Sequence, residues 1–178
     1  MDTNDASCMT TGSLENVLGP LRVALRLEKD GKQFFAEAAT TVTGKAARQT
    51  FEFLAAEEDK HIRRIQDFYR SLEQSGGRDI PESDESDADA RLVGFDSRMA
   101  ELRDEIRPTL SDVDAYRMAL KFENGAEDFY ARQVAESADP RIQRFYIWLI
   151  NEESMHSRVL NSCIQFAEDP AAWFQKRR

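Results

Sequence analysis

Apolar residues recur at intervals of three and four along four long stretches of the chain. This spacing matches the turn of an α-helix and predicts four amphipathic helices. We place the helices at about residues 13–39, 45–74, 111–138 and 140–167. Asp139 and Pro140 fit the N-cap and the first turn of the fourth helix. The pattern therefore predicts an all-α protein.

The connections between these stretches predict how the helices pair. The segments TTVTG (40–44) and SADP (137–140) are short, so each helix pair should form an antiparallel hairpin. Between the hairpins lies a long crossover, 75–110, whose first part is acidic and rich in turn residues and whose part 90–107 has the length of a short helix. The predicted architecture is a four-helix bundle, 13–168, between a disordered tail, 1–12, and a C-terminal tail, 169–178. We expect that C-terminal tail to pack across a bundle end or a partner subunit.

The two hairpins repeat one another. A shift of 95 residues superimposes ALRLEKDGKQFFAEA on ALKFENGAEDFYARQ, and FLAAEEDKHIRR on WLINEESMHSRV, without a gap. The apolar identities could reflect a shared core pattern alone. The polar identities could not, and they are Glu28/Glu123, Glu57/Glu152, Glu58/Glu153, His61/His156 and Arg63/Arg158.

The repeated polar residues have spacings that bring them together. Glu58 and His61 are three residues apart and share a helix face, as do their counterparts in the second hairpin. Glu28 lies 30 residues before Glu58, and the midpoint of that interval falls in the predicted turn at Thr43. The two partners therefore stand at one level of the hairpin. Docking the hairpins with pseudo-twofold symmetry collects six residues in one layer: Glu28, Glu58, His61, Glu123, Glu153 and His156.

Apolar neighbours such as Leu25 and Phe122 predict that this layer is buried. Four carboxylates buried together would repel one another, and two divalent cations would neutralise them. Carboxylates with two imidazoles suit iron or manganese better than zinc or calcium. A single Glu-x-x-His is usually a surface pair. At a Glu frequency of roughly one in ten, however, the four matching glutamates would arise by chance in about one chain in ten thousand.

Composition narrows the possible partners and the setting. The net charge of -9 disfavours nucleic acid as a partner. No apolar run approaches the ~18 residues of a membrane span. The first residues, MDTNDASCMTTGS, lack the features of a secretory signal. Two unclustered cysteines, Cys8 and Cys163, favour a reducing, cytoplasmic setting without a thiolate metal site.

On the motifs LEKDGKQFF, EEDKH, FENGAEDFY and EESMH, the chain resembles the rubrerythrin branch of the ferritin-like superfamily. The resemblance covers about residues 21–73 and 112–167 and implies a ferritin-like bundle with two iron ions per chain. It implies that Glu58 and Glu153 bridge the metals and that Glu28 and Glu123 are terminal ligands. His61 and His156 would each hold one metal. Manganese or a mixed iron–manganese site is an alternative.

The sequence departs from the family pattern in several ways. It has no paired CxxC motifs, so it lacks the rubredoxin domain of rubrerythrins proper. Where the family usually has an additional glutamate, one turn after the third-helix ligand, this chain has Ala126. Glu127 would substitute only if the helix rotates or bulges, and is otherwise an exposed glutamate. Tyr130 is either a hydrogen-bond partner of a ligand carboxylate or a core aromatic residue, and Phe35 stands where the family usually has the other tyrosine.

Glu57 and Glu152 are adjacent to ligands and point about 100° away from them around the helix. We interpret these glutamates as solvated or paired with Arg63 or Arg158. Cys163 is interpreted as a buried structural thiol.

Three functions follow from the resemblance and the residues. The first is a di-iron oxidoreductase that reduces peroxide or oxygen with electrons from an external donor, such as a rubredoxin-type protein. The second is a ferroxidase or an iron-binding or storage protein, with Fe(II) as the substrate. The third is a non-catalytic, metal-stabilised scaffold or sensor. Family habit implies a homodimer or a larger assembly, and no membrane partner is expected.

Overall fold

The computed structural model describes residues 11–76, 88–101 and 110–175 of the chain. Every regular element among these residues is a helix. The helices are α1 (Thr11–Thr41), α2 (Lys45–Ser75), α3 (Ala88–Glu101), α4 (Leu110–Glu136), α5 (Pro140–Glu168) and α6 (Pro170–Gln175). The prediction of an all-α helical bundle is therefore confirmed, and the four long helices α1, α2, α4 and α5 match the four predicted ones to within about two residues.

Local sequence explains where two of these helices begin or end. The Asp139 side chain accepts a hydrogen bond of 2.8 Å from the backbone N–H of Arg141, and Pro140 opens α5. This is the predicted N-cap arrangement. Helix α2 ends at Ser75 and is capped by Gly76, whose φ of 61° lies in the left-handed region and whose N–H bonds to the carbonyl of Leu72. Glycine adopts this conformation without a steric penalty.

The long helices form two antiparallel hairpins, α1–α2 and α4–α5, that pack along their lengths. Near the start of α4, Asp112 accepts hydrogen bonds from the backbone N–H groups of Thr43 (3.1 Å) and Gly44 (3.4 Å) in the α1–α2 turn. The beginning of α4 therefore lies at the same end of the bundle as that turn. The α4–α5 turn consequently lies at the opposite end, as the predicted pseudo-twofold arrangement requires.

The core is divided into two apolar clusters. The upper cluster lies at the α1–α2 turn and includes Phe35, Phe51, Leu54, Tyr116, Val159 and Phe166. The lower cluster lies toward the α4–α5 turn and includes Leu18, Leu21, Ile65, Phe68, Tyr130, Phe145 and Leu149. Along each long helix, the one or two residues of the predicted polar layer lie where the lower cluster gives way to the upper one. The polar layer therefore crosses the middle of the bundle.

The crossover and the C-terminal segment both contribute to the core. Helix α3, inside the crossover, packs on α5, and its Phe95 is buried in the upper cluster. In α6, Trp173 is buried against Phe166, and its indole N–H donates a 3.0 Å hydrogen bond to Ser162. The C-terminal segment, which was expected to pack across a bundle end or a partner subunit, thus packs on α5 of this chain. Residues 1–10, 77–87, 102–109 and 176–178, which include most of the predicted N-terminal tail and parts of the crossover, lie outside the described residues.

The length and apolarity of the described helices decide whether any of them could span a membrane. Among them, none combines the length and the apolarity that crossing a bilayer requires.

Candidate metal centre

The six residues predicted to form one polar layer lie together in the middle of the bundle. Each of them is between 0% and 3% exposed. Helix α1 provides Glu28, α2 provides Glu58 and His61, α4 provides Glu123, and α5 provides Glu153 and His156. The structure thus brings all six to the layer that the repeat predicted.

The two imidazoles are at the centre of this layer. Their rings are 5.1 Å apart between centroids and nearly parallel, with an interplanar angle of 17°. In both residues the Nδ1 atom faces the carboxylates. His61 Nδ1 lies 2.9 Å from Glu28 Oε2, and His156 Nδ1 lies 3.1 Å from Glu123 Oε1. Each histidine therefore contacts the glutamate 33 residues before it in its own hairpin.

The glutamates that precede the histidines on α2 and α5 contact both rings. Glu153 lies 3.1 Å from His61 Nδ1 and 3.2 Å from His156 Nδ1, through different carboxylate oxygens. Glu58 lies 3.4 Å from His61 Nδ1 and 3.3 Å from His156 Nδ1, again through different oxygens. Both carboxylates thus lie between the two hairpins. Four potential ligand atoms, one from each of these glutamates and histidines, lie within 4.8 Å of one another.

A tyrosine hydroxyl supports one of the outer carboxylates. Tyr130 of α4 is fully buried and donates a hydrogen bond to Glu28 Oε1 on α1. The equivalent position in the first hairpin is Phe35, which packs in the upper cluster and has no hydroxyl to donate. Glu123 Oε2 has no hydrogen-bond partner in the structure. The two hairpins are therefore not equivalent at this point.

Burial and mutual repulsion shift the protonation of the layer. Burial raises the pKa of Glu28 and Glu123 well above 4.5, and the charge on Glu153 adds to the shift. Burial alone would also raise the pKa of Glu58 and Glu153. A hydrogen bond with Glu28 lowers the pKa of Glu58, and the nearby charged imidazoles of His61 and His156 hold the pKa of both carboxyls below 4.5.

The pKa values of the two imidazoles are shifted in the opposite direction to those of ordinary buried histidines. Burial alone would lower the pKa of His61 and His156, but the surrounding carboxylates raise it well above 6.5. These shifts favour neutral carboxyls at Glu28 and Glu123 and charged imidazoles at His61 and His156, so protons offset part of the negative charge of the layer. Cations that bind this layer must displace those protons.

Further charged side chains lie beside the layer. Glu57 and Glu152 are both buried, and one guanidinium, that of Arg91 on α3, donates hydrogen bonds to both carboxylates. Lys60 also contacts Glu57, at 2.6 Å. Of the two expected alternatives, solvated or paired with Arg63 or Arg158, the first was wrong, because both side chains are buried and Arg91 of the crossover helix supplies counter-charge.

Arg91 could not be identified as a partner of these glutamates from its sequence context. Its segment, DADARLVGF, has neither a repeat partner nor a long periodic pattern. One feature of the sequence could have indicated its role: Arg91 lies four residues before Phe95, so a charged and an apolar residue share one helix face. Trp148, whose ring contacts His61 edge-on at 5.8 Å, was also not anticipated.

The remaining candidates lie at the margin of the layer. Glu127 is half-buried and accepts a 3.0 Å hydrogen bond from Ser157, so it faces α5 beside His156. Burial raises its pKa. Ala126 is buried in the lower cluster. At Gly31, its counterpart in the first hairpin, an added Cβ would lie 2.8 Å from the Phe122 ring, so this position has no room for a longer side chain.

Cys163 matches its interpretation as a buried thiol in the core. It lies in the upper cluster, and its Sγ is 3.5 Å from Thr50 Oγ1.

The donor chemistry of the layer fits a pair of divalent metal ions. Glu153 Oε1, Glu153 Oε2 and Glu123 Oε2 are buried carboxylate oxygens without a hydrogen-bond donor. Such lone pairs are costly to bury unless a proton or a cation meets them. Four carboxylates and two imidazoles, with no thiolate, match the ligand preference of iron and manganese.

Comparisons with known proteins agree with this geometry. A family model described as Rubrerythrin matches residues 20–164, a range that contains all six residues of the layer. No curated protein and no solved structure matches the chain.

Proposed function

Because this chain belongs to the rubrerythrin family, we propose that it is a di-iron protein that reduces peroxide or oxygen with electrons from an external donor. One observation carries the proposal. Two Glu-x-x-His pairs and two further glutamates, all nearly inaccessible to solvent, converge on one layer and include carboxylate oxygens without a donor. Such a buried cluster needs positive charge to balance its carboxylates, and two divalent cations would supply it.

We assign the ligand roles from the contacts in the layer. Glu58 and Glu153 are each close to both imidazoles, which supports a bridging role between two metals. Glu28 and Glu123 each contact one imidazole, which supports a terminal role. His61 and His156 would each hold one metal through Nδ1. Two iron ions per chain fit this set, and manganese or a mixed pair would use the same donors.

The chemistry of the proposed site is a two-electron reduction. A bound pair of iron ions supplies two one-electron redox steps, which matches the reduction of hydrogen peroxide with two electrons and two protons to two waters. The protein residues would hold the ions and keep the net charge low. Tyr130 holds Glu28 in place through its hydroxyl. The two apolar clusters on either side exclude bulk water from the layer.

We propose that the electrons come from another molecule. The sequence contains two cysteines, so it does not supply the four thiolates of a rubredoxin-type iron site. We propose a separate rubredoxin-type protein as the donor. A cytoplasmic setting and a homodimer or larger assembly also remain proposals, supported by the two unclustered cysteines and by the family resemblance, respectively.

The reaction of the reduced protein tests this function. Iron-loaded protein is reduced without oxygen and then mixed with hydrogen peroxide or with dissolved oxygen. Loss of the diferrous state that is faster with peroxide than with oxygen supports peroxide reduction, and the reverse order supports oxygen reduction. A His156→Ala variant, treated in the same way, provides the control for iron that is bound elsewhere.

The alternatives predict different results in the same experiment. Oxidation of Fe(II) in excess over the site, with oxygen as the oxidant, would identify a ferroxidase or storage protein, and the net charge of -9 favours attraction of cations. A site that binds metal but reacts with neither oxidant would identify a scaffold or sensor. The first result would make Fe(II), instead of a separate donor protein, the source of the electrons, and the second would overturn the proposed reduction of peroxide or oxygen.

A further inference from the structure

Helix α3 of the crossover reaches the proposed metal centre through one side chain. The Arg91 guanidinium donates through one nitrogen to Glu57 on α2 and through the other to Glu152 on α5. The side chains of Arg91, Glu57 and Glu152 are 14%, 5% and 3% exposed. One planar group thus joins both hairpins from a third element, in a buried setting where charge-assisted hydrogen bonds are strong.

The contact extends to a proposed metal ligand. Glu152 Oε2, which receives the Arg91 hydrogen bond, lies 3.5 Å from Nε2 of His61. His61 Nε2 has no hydrogen-bond partner in the structure, so this is an electrostatic contact. His61 presents its Nδ1 atom to the inner carboxylates, so Glu152 faces the opposite side of the same ring. A carboxylate in that position fixes the orientation of an imidazole and increases its basicity.

Outside the six-residue layer, two acidic and two basic side chains contact one another. Four inner carboxylates carry -4 and would be neutralised by two divalent ions. Glu57 and Glu152 add -2, and Arg91 and Lys60 supply +2. Because Lys60 is half-exposed, water screens its charge more than the charge of Arg91, so Arg91 contributes more to neutralising the two glutamates.

We propose that Arg91 is a positioning residue for the metal centre, acting through Glu152 on His61, and that it makes the crossover helix part of that centre. The proposal rests on the function proposed above, because it requires a metal in the layer. It also explains why α3 packs at this place. Arg91 and Phe95 lie one turn apart on α3, and the buried Phe95 ring packs against that of Phe53, with 5.3 Å between the ring centroids.

The electrostatic part of the proposal predicts shifts of opposite sign. Arg91→Met removes a positive charge and favours the ferric state, so the reduction potential of the iron-loaded protein should fall. Glu152→Gln removes a negative charge at the other end of the same contact, so the potential should rise. Damage to the fold alone would not produce two shifts of opposite sign.

Metal affinity and helix protection provide independent readouts. Chelator competition with Fe(II) should show that Arg91→Met and Glu152→Gln each weaken binding about 10- to 100-fold. Hydrogen exchange of the α3 amides should slow on metal binding in the wild type but not in Arg91→Met. Arg91→Lys should keep the potential near the wild-type value but restore affinity only in part, because an ammonium group lacks the planar fork. Arg117→Met removes a surface arginine paired with Glu168 and should leave every readout unchanged.

The outcomes separate this inference from the function beneath it. If the wild type holds no iron pair, both fail. If the wild type binds iron but the potential and affinity of Arg91→Met and Glu152→Gln equal those of the wild type, only the role of Arg91 is overturned. If Arg91→Met does not fold, the Glu152→Gln and Arg91→Lys variants decide the question by the same measurements.

Discussion

The imidazoles of His61 and His156 stack 5.1 Å apart with their Nδ1 atoms toward the same carboxylates, although 95 residues separate them in the chain. Each histidine meets the glutamate 33 residues before it, at 2.9 Å in one hairpin and 3.1 Å in the other. The repeat in the sequence is therefore a repeat in space. Two copies of one ligand set face each other across the bundle.

Tyr130 should contribute to metal binding through its hydroxyl alone. Tyr130→Phe removes the hydrogen bond to Glu28 but keeps the ring in the lower cluster. We expect the affinity for Fe(II) to fall about 10- to 100-fold, as is usual for the loss of a partner that orients a ligand. Chelator competition measures this change, and circular dichroism should show unchanged helix content.

Tyr146→Phe is the matched control for this variant. The Tyr146 ring lies 6.0 Å from that of Tyr130, but its hydroxyl has no hydrogen-bond partner in the structure. Its removal should leave metal affinity unchanged. Equal losses in the two variants would show that the Tyr130 hydroxyl has no specific role.

Without metal, the protein should lose stability as the pH rises. The folded-state pKa values of Glu28 and Glu123 are raised above 4.5, and those of His61 and His156 above 6.5. Above these reference values the folded layer holds more protons than the unfolded chain. The free energy of unfolding therefore decreases with rising pH, by up to about 1.4 kcal/mol per pH unit for each excess proton.

The other two carboxylates act in the acidic range. The pKa values of Glu58 and Glu153 are lowered below 4.5, so the stability they contribute is present above 4.5 and is lost as the pH falls. Denaturant titrations of metal-free protein between pH 6 and 9 test the predicted decline. Metal-loaded protein should change less, because its ligands carry no protons to lose. Rising stability of the metal-free form over this range would contradict the proposed protonation.

Asp112 should stabilise the junction between the hairpins. It is 1% exposed and accepts from the N–H groups of Thr43 and Gly44. Asp112→Ala would leave these donors without that acceptor, at a cost of about 1–3 kcal/mol. Asp114→Ala on the same helix removes a carboxylate that is 76% exposed and should change the free energy of unfolding little. Denaturant unfolding compares the two variants, and equal effects would exclude the junction role of Asp112.

The sequence predicted the bundle and the polar layer because both depend on regular spacing. Helical periodicity defined α1, α2, α4 and α5, and the shift of 95 residues paired Glu28 with Glu123. The layer could be located because positions equidistant from a turn stand at one level of a hairpin.

What the sequence did not predict depends on contacts outside that spacing. Arg91 belongs to the crossover, which has no counterpart in the repeat, so nothing indicated which carboxylates it would meet. Glu57 and Glu152 were misjudged for the same reason, because their burial depends on α3. The hydrogen bond from Tyr130 to Glu28 does not follow from residue spacing, because a buried tyrosine serves equally well as a core aromatic residue.

Metal content is the most direct measure of the central proposal, that these six residues hold two metal ions. Purified protein is loaded with Fe(II) without oxygen, freed of excess metal and analysed for iron per chain. We predict about two iron ions per wild-type chain, and clearly less in His61→Ala and His156→Ala at unchanged helix content. Wild-type protein without bound iron, or His61→Ala with the wild-type iron content, would contradict the proposal.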